Sequence, residues 1–172
     1  MGKISNVVEK LNNDVCFQTN DNKRFRLRAA AIIIENDCIL FATNDVENYY
    51  YSIGGAIEMG ETAESAVMRE VLEETGIPYE VDRLAFVQEN FFKREDGMLK
   101  GLECHEITFY FLMKSRGTQQ LNSKSKTLNN TIEERMEWLP ISELHKYEAY
   151  PMFFRDKLKD VKPYVEHIVT FQ

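Results

Sequence analysis

The sequence is poor in the features that would take it out of the ordinary globular class. Its three cysteines, Cys16, Cys38 and Cys104, are odd in number and widely spaced, with no C-x-x-C and no histidine at ligand spacing. That excludes a disulfide framework and a structural zinc site, and points to free thiols in a reducing cytoplasm. Only four prolines occur, and there is no repeat and no Pro- or Ser-rich linker, so one folded unit is expected over residues 1–172, with residues 1–20 as an N-terminal extension. The longest uncharged apolar run, Ala29 to Ile34, is far short of the roughly 18 residues needed to span a bilayer. The start, MGKISNVVEKLNND, turns charged too early for a signal-peptide core, so a soluble, unexported protein with no membrane partner is expected. Positive charge is also scarce: the net charge is −7, which excludes a general groove for a nucleic acid polymer. An acidic protein still takes a phosphate compound when a metal ion supplies the positive charge.

What is present suffices for a complete core. The 172 residues are 44% hydrophobic and 12% aromatic, and a domain of about 150 residues buries close to 70% of its unfolded surface. Arg24, Arg26 and Arg28 alternate with Phe25 and Leu27 and run on into Ala29–Ile34, the pattern of a strand with a basic face entering a buried sheet. Asn36-Asp37 reads as a hairpin turn into the return strand CILFAT, and YYYSI as a short strand ended by Gly54-Gly55. Further strands are expected over LAFVQENFF, HEITFYFLM and RMEWL, with a short helix over ISELHKY. Pro151 is placed to open a final amphipathic helix with Phe154, Leu158 and Val161 on one side. The polar run from Gly117 to Thr131 reads as one long surface loop. Strands and helices interspersed in this way predict a mixed α/β layer fold.

The best-marked helix runs from Thr62 to Thr75. Thr62 caps it, Glu64 favours the first turn, Gly76 takes the C-terminal position and Pro78 prevents resumption. At about 100° per residue, Glu70, Glu73 and Glu74 fall within roughly a third of the circumference. Beside them a stripe of Val67, Met68, Val71 and Leu72 is expected to face the core. Like charges at this spacing repel, and a cation would relieve the repulsion. The plain alternative is a solvated acidic face with Arg69 paired to Glu73. The run Gly54 to Glu61 directly before the helix weighs against it, because its glycines let backbone carbonyls approach a ligand closely. Carboxylates plus a carbonyl are hard ligands suited to Mg²⁺ or Mn²⁺, ions that also take substrate phosphates.

Gly55, five residues, Glu61, seven residues, then Arg69-Glu70-Val71-Leu72-Glu73-Glu74-Thr75-Gly76-Ile77 resembles the Nudix box, GX5EX7REUXEEXGU with U aliphatic, at every defined position. A looser likeness extends through the preceding strands and on to EWLPISEL, with one departure, Ile53, where the family usually has proline. The resemblance implies an α/β/α sandwich around a mixed β-sheet, forming a single Nudix domain. It also implies Mg²⁺-dependent hydrolysis, with Mn²⁺ as the other candidate ion, of the diphosphate linkage in a nucleoside diphosphate joined to another moiety, such as a nucleoside triphosphate or a nucleotide sugar. By the same likeness Glu70, Glu73, Glu74 and the Gly54 carbonyl hold the metal, while Glu61 and Arg69 brace the loop. A carboxylate then takes the proton of the attacking water. Glu73 from the box and Glu106 from outside it are the catalytic candidates, with Glu89, Glu103 and the Glu133-Glu134 pair behind Glu106. Glu106 ranks first because it begins a strand beside a glycine-containing loop.

Substrate contacts stay open at this level. Arg26 and Arg28, with Arg24, suit terminal phosphates or line a solvated strand face. Phe91, with Phe92, suits stacking on a base or packing in the core. The expected partner is a small nucleotide-type molecule, and the residues after the box that mark particular subfamilies are missing. Two other classes stand beside the hydrolase: a nucleotide-sensing module without turnover, which commonly lacks box glutamates, and an isoprenoid diphosphate isomerase, for which Cys104 and Glu106 are the acid/base candidates. A homodimer is compatible with the resemblance, the apolar C-terminal helix being one candidate seam.

Overall fold

The computed structural model of the chain describes residues 13–46, 48–93, 95, 99–122 and 133–172. In chain order they form β1 (Cys16–Gln18), β2 (Lys23–Ile32), β3 (Ile34–Glu35), β4 (Cys38–Asn44), β5 (Tyr50–Ser52), β6 (Gly54–Ala56), α1 (Ala63–Thr75), β7 (Val81–Lys93) and β8 (Glu103–Met113). There follow β9 (Glu134–Pro140), a 3-10 helix (Ile141–Lys146), β10 (Ala149–Tyr150), α2 (Phe154–Lys157) and β11 (Glu166–Phe171). The strands make two mixed sheets. The larger runs β1-β2-β8-β7-β11, with β6 also on β2; the smaller runs β10-β5-β4-β3, with β9 also on β4.

The strand β2 organises the layers. It pairs parallel with β8 and antiparallel with β1 and β6, and its second half, Ala29 to Ile32, is buried on both faces, which is why the residues there are small or β-branched. Alternate side chains enter different cores. Ala29 and Ala31 pack with Ala66, Val67 and Val71 of α1, whereas Ala30 and Ile32 pack with Leu144, Phe154 and Leu158. Helix, sheet and helical turns therefore stack in the expected mixed α/β arrangement, and β1 falls within the segment expected as an N-terminal extension. Asn36 and Asp37, both at positive φ (51° and 58°), make the two-residue turn between β3 and β4. Among the described residues, no helix is long and apolar enough to cross a membrane.

Helix α1 keeps its expected bounds but not its expected buried face. Thr62 accepts a hydrogen bond from the Ser65 amide at 3.1 Å, and Gly76 closes the helix at φ 68°. A Cβ on Gly76 would also lie 2.5 Å from the Asn122 carbonyl oxygen, which approaches as the Asn122 amide bonds to the Thr75 carbonyl at 3.0 Å. Val67 and Val71 are buried as expected, but Met68 and Leu72 are 39% and 48% exposed. The buried arc is instead centred between Ala66 and Val71 and takes in Glu70 and Glu74. Ala63 and Ala66 allow this because they leave the helix room to lie close on β6.

Two other expectations change. Phe154 and Leu158 are buried as expected, but α2 is a single turn of four residues, so the C-terminal helix is shorter than expected. The chain instead continues into β11, which pairs parallel with β7. Of the polar run Gly117 to Thr131, the part from residue 123 on lies outside the described residues, and the part before it is anchored. Glu35, 1% exposed, accepts hydrogen bonds from the Ser115 hydroxyl (2.7 Å) and the amides of Arg116 (2.6 Å) and Gly117 (2.9 Å). Gln119 bonds to the Glu35 carbonyl at 3.1 Å, and the Trp138 indole donates to the Gln119 carbonyl at 3.1 Å.

Burial alone would raise the Glu35 carboxyl, but the Arg116 amide, the Ser115 hydroxyl and the Gly117 amide outweigh it and hold the carboxyl below its ordinary value. Its contribution to stability is therefore complete above the unfolded value, about 4.3, and is lost as pH falls through the lower folded value. Glu35→Gln is expected to destabilise the fold at pH 7 by about 1–3 kcal/mol, through loss of a charged acceptor for three donors. In urea titrations the gap between wild type and variant should stay constant down to about pH 4.3 and shrink below it.

Candidate active site

The site forms where α1 lies on the glycine strand β6. Gly55 pairs with Ala29 of β2, and an added Cβ there would sit 2.3 Å from Glu70 Oε1. The Glu70 carboxylate thus rests directly on the Gly55 backbone, a position that only glycine permits. Glu74, one turn on, accepts a hydrogen bond from the Gly54 amide at 3.0 Å.

Arg69 ties this end of the helix to the loop before it. Its Nε and Nη2 donate to the two carboxylate oxygens of Glu61, both at 2.9 Å, and Nη2 also reaches the Ala56 carbonyl at 3.2 Å. Nη1 donates to Glu70 Oε1 at 2.7 Å and lies 3.7 Å from Glu73. Glu61 in turn accepts from the Glu58 amide at 3.1 Å. The Arg69 guanidinium holds the Glu61 carboxyl below its ordinary value, and Glu61 holds Arg69 above its own.

The carboxylates on the buried arc are not fully compensated. Burial pushes the Glu74 carboxyl up to about 8, against the pull of the Gly54 amide and with the help of the Glu134 charge. Burial also raises Glu70, although Arg69 opposes it. Glu73, with 60% of its side chain exposed, faces outward. Among the described residues no three acidic, histidine or cysteine side chains already converge as a metal-ligand set. The donor chemistry still fits a divalent cation, since carboxylate oxygens are the hard ligands such an ion takes, and its charge would favour the ionised form that burial opposes.

The arginines of β2 divide their work. Arg28, expected at a substrate phosphate, grips the turn before β6: Nη1 donates to Ser52 Oγ at 3.1 Å, and Nη2 to the carbonyls of Ser52 (2.7 Å) and Gly54 (3.1 Å). Its positive charge also acts on Glu70 and Glu74. Arg26 pairs with Glu106 at 3.7 Å, and its desolvation lowers its proton affinity. Glu106 also accepts from the Thr108 hydroxyl at 3.3 Å.

The distant carboxylate whose charge acts on Glu74 is Glu134, at the start of β9. It accepts from the Tyr51 hydroxyl at 2.7 Å, and that hydroxyl accepts from the Asn44 side-chain amide at 3.2 Å. Tyr51, Asn44 and Ser52 carry no motif that sequence reading could have used, since their partners lie on other strands. Phe91 stands apart. It is opposite His105 in the sheet register, one position from the Asn90–Glu106 pair, so it projects from the other face than Arg26, Arg28 and Glu106. Glu89, on that same face, bonds to His167 at 2.7 Å, and Glu103 lies at the far end of β8 between Lys23 and Lys93. The Cys104 thiol is buried, which pushes it up, and lies 3.8 Å from the Leu102 carbonyl.

Comparison with known proteins gives matches in sequence and in fold. A model of the NUDIX domain matches residues 24–158. The chain is 30% identical over 140 residues to a MutT-like protein of Streptomyces ambofaciens, covering 79% of each. Its fold is similar to that of the MutT protein of Bacillus halodurans, with a TM-score of 0.59 at 20% identity over 83% of this chain and 89% of that one. It is equally similar to that of the E. coli dihydroneopterin triphosphate pyrophosphohydrolase, with a TM-score of 0.59 at 16% identity over 78% and 92%.

Arg69 is the brace whose removal should be felt most. Arg69→Gln is expected to lower stability by about 1–3 kcal/mol in urea unfolding. Arg69→Lys should fail to restore it, because an ammonium cannot make the forked pair with Glu61. Hydrogen exchange at the Glu58 amide, which rests on Glu61, should accelerate in both variants.

Proposed function

Because the chain belongs to the Nudix family and is a hydrolase acting on phosphoric anhydride bonds, we propose that it cleaves the pyrophosphate linkage of a nucleoside diphosphate joined to a second moiety, in the presence of Mg²⁺. The observation that carries this reading is the pair of carboxyls Glu70 and Glu74, which α1 sets directly on the Gly54-Gly55 backbone, Glu70 against Gly55 and Glu74 on the Gly54 amide at 3.0 Å. Glu70, Glu73 and Glu74, with the Gly54 carbonyl, would hold the ion. Bound there, it supplies the positive charge that offsets the diphosphate and lowers the pKa of an attacking water.

The chain's own residues do the positioning. Arg69 and Glu61 hold Glu70 against Gly55, and Arg28 fixes the Ser52 and Gly54 carbonyls, so the donors are set before substrate arrives. Glu134, oriented by the Tyr51 hydroxyl, is our first choice for the carboxylate that takes the proton of water, and Glu106 is the second. Arg26, held to Glu106 at 3.7 Å, keeps donors for a substrate phosphate. The three free cysteines fit a reducing compartment, the cytoplasm.

The test is release of phosphate, pyrophosphate or nucleoside monophosphate from a panel of canonical and oxidised nucleoside triphosphates, nucleotide sugars and dinucleoside polyphosphates, with and without Mg²⁺. Turnover of one class should require the ion and fall by at least about a hundredfold in Glu73→Gln and Glu74→Gln. Gly55→Ala should stay folded but displace Glu70 and weaken Mn²⁺ binding by about 10–100-fold in electron paramagnetic resonance titrations. Between Glu134→Gln and Glu106→Gln, the base is the one whose loss lowers kcat with KM nearly unchanged. Folded protein that binds nucleotide and turns over no panel member would replace the hydrolase reading with a sensing one.

A further inference from the structure

One face of the larger sheet carries a polar row that takes no part in bracing α1. Register sets Arg26 opposite Glu106, Glu106 opposite Asn90, and Asn90 opposite Thr170, so the row crosses β2, β8, β7 and β11 on the face that Arg28 shares. In the neighbouring row, Arg28, Thr108 and Gln88 stand opposite one another in the same way. Thr108 and Gln88 are buried, at 0% and 3% exposure, whereas Arg26 and Glu106 keep 29% and 15% of their side chains in solvent. The first row is therefore the accessible rim of a buried polar floor.

A directed chain of hydrogen bonds sets this rim. The Tyr110 hydroxyl donates to Gln88 Oε1 at 3.0 Å, Gln88 Nε2 donates to the Thr170 hydroxyl at 2.8 Å, and Thr170 donates to Asn90 Oδ1 at 2.7 Å. Each hydroxyl has one proton to give, so the sense of the chain leaves the Asn90 oxygen occupied and its nitrogen presented. Among the described residues Asn90 Nδ2 donates to no acceptor. Glu106, directly across, accepts one hydrogen bond, from the Thr108 hydroxyl to Oε1 at 3.3 Å. Its Oε2 lies 3.7 Å from Arg26, which balances the charge from beyond hydrogen-bond distance. Half-buried donors and acceptors left in this state are groups that a ligand can meet.

Together the two side chains define an edge. Asn90 offers N–H donors, and Glu106, one inter-strand step away, offers a carboxylate, which pairs best with two parallel N–H groups. Among the common bases only guanine carries a carbonyl oxygen, a ring N–H and an amino group side by side. Adenine, cytosine and uracil each bring a single donor group to a carboxylate. The position also suits a nucleotide. Along β2, Arg26 is two residues from Arg28, which holds the Gly54 carbonyl, and β8 is the next strand, so the Cα of Glu106 is about 8 Å from that of Arg28. A base at this edge and a diphosphate at the Gly54 turn belong to one molecule.

We propose that Asn90 and Glu106 read the base of the substrate and select a guanine-type edge, with Thr170 and Gln88 as the positioning residues that turn the Asn90 amide toward it. The proposal rests on the hydrolase reading for the place of the diphosphate, and it gives Glu106 a task other than taking the proton of water.

The experiment compares guanine with hypoxanthine, which keeps the carbonyl and the ring N–H but lacks the amino group. Calorimetric titration of the full chain with GMP, IMP and AMP, which contain no anhydride bond, reads the edge without turnover. The kcat/KM values for GTP and ITP with Mg²⁺ read it in the reaction. GMP should bind about 10–100-fold tighter than IMP, with a similar ratio between GTP and ITP in kcat/KM. Glu106→Gln should remove most of that ratio. Thr170→Val, a change on the outermost strand, should leave it and instead narrow the gap between GMP and AMP, because GMP and IMP share the carbonyl that Asn90 meets. The proposal is overturned if GMP and IMP bind alike, if neither binds, or if their ratio survives Glu106→Gln. It is also overturned if Glu106→Gln lowers GTP and ITP turnover in equal proportion, which would make Glu106 the base. A preference for GMP without turnover of any triphosphate would keep the edge and remove the hydrolase reading, whereas turnover without the preference would do the reverse.

Discussion

The close approach of α1 to the glycine strand β6 is the constraint on which the rest of the site depends. Two acidic side chains, Glu70 and Glu74, lie on the arc of the helix that faces protein, where carboxylates are expensive to keep ionised without compensation. Compensation is present and incomplete: Arg69 meets Glu70 and the Gly54 amide meets Glu74, yet burial holds both carboxyls above their ordinary values. The helix tolerates this because its neighbouring residues Val67 and Val71 are fully buried and both its ends are capped. Local repulsion is thus held in place by packing that the same helix supplies.

The site is also a junction between the two sheets. Arg28, on β2 of the larger sheet, binds the Ser52 and Gly54 carbonyls where the chain passes from β5 to β6. Tyr51, on β5, reaches Glu134 on β9. A second polar junction lies behind α1, where Glu35 gathers the Ser115–Gly117 turn and Asn122 closes on the helix C-terminus. Each contact spans a long stretch of sequence, so together they fix how the sheets face one another more than they stabilise any single element. Such buried, directional contacts specify one arrangement, because a shift of a residue in register would leave a charge unpaired.

Much of this was legible in the residues themselves. The bounds of α1, the Asn36-Asp37 turn and the strand from Lys23 rest on local signals, while the bracing pair of Glu61 and Arg69 was implied by the family resemblance. Elements that needed a distant partner were less visible. The last strand, β11, alternates inward and outward residues but exists as a strand only because β7 offers a parallel edge, and α2 stops after one turn where periodicity alone suggested a longer helix. Met68 and Leu72 belonged to the apolar stripe of an isolated helix, yet the docked helix is rotated so that acidic residues take the inner arc in their place. An isolated helix turns its most apolar side inward, whereas a docked one answers to whichever neighbour can come closest, and Gly55 lets Glu70 come closest.

The sequence by itself therefore determined the helix, its caps, the spacing of its glutamates and the family these imply, because each is encoded within a few turns of chain. Only the tertiary structure decided that Arg28 holds the backbone while Arg26 holds Glu106, that Glu134 rather than Glu106 acts on Glu74, and that Phe91 looks away from all of them. The physical reason lies in strand geometry. Successive residues of a strand point to opposite faces, so which residues share a site depends on register between strands far apart in sequence, and register is set by the whole packed sheet.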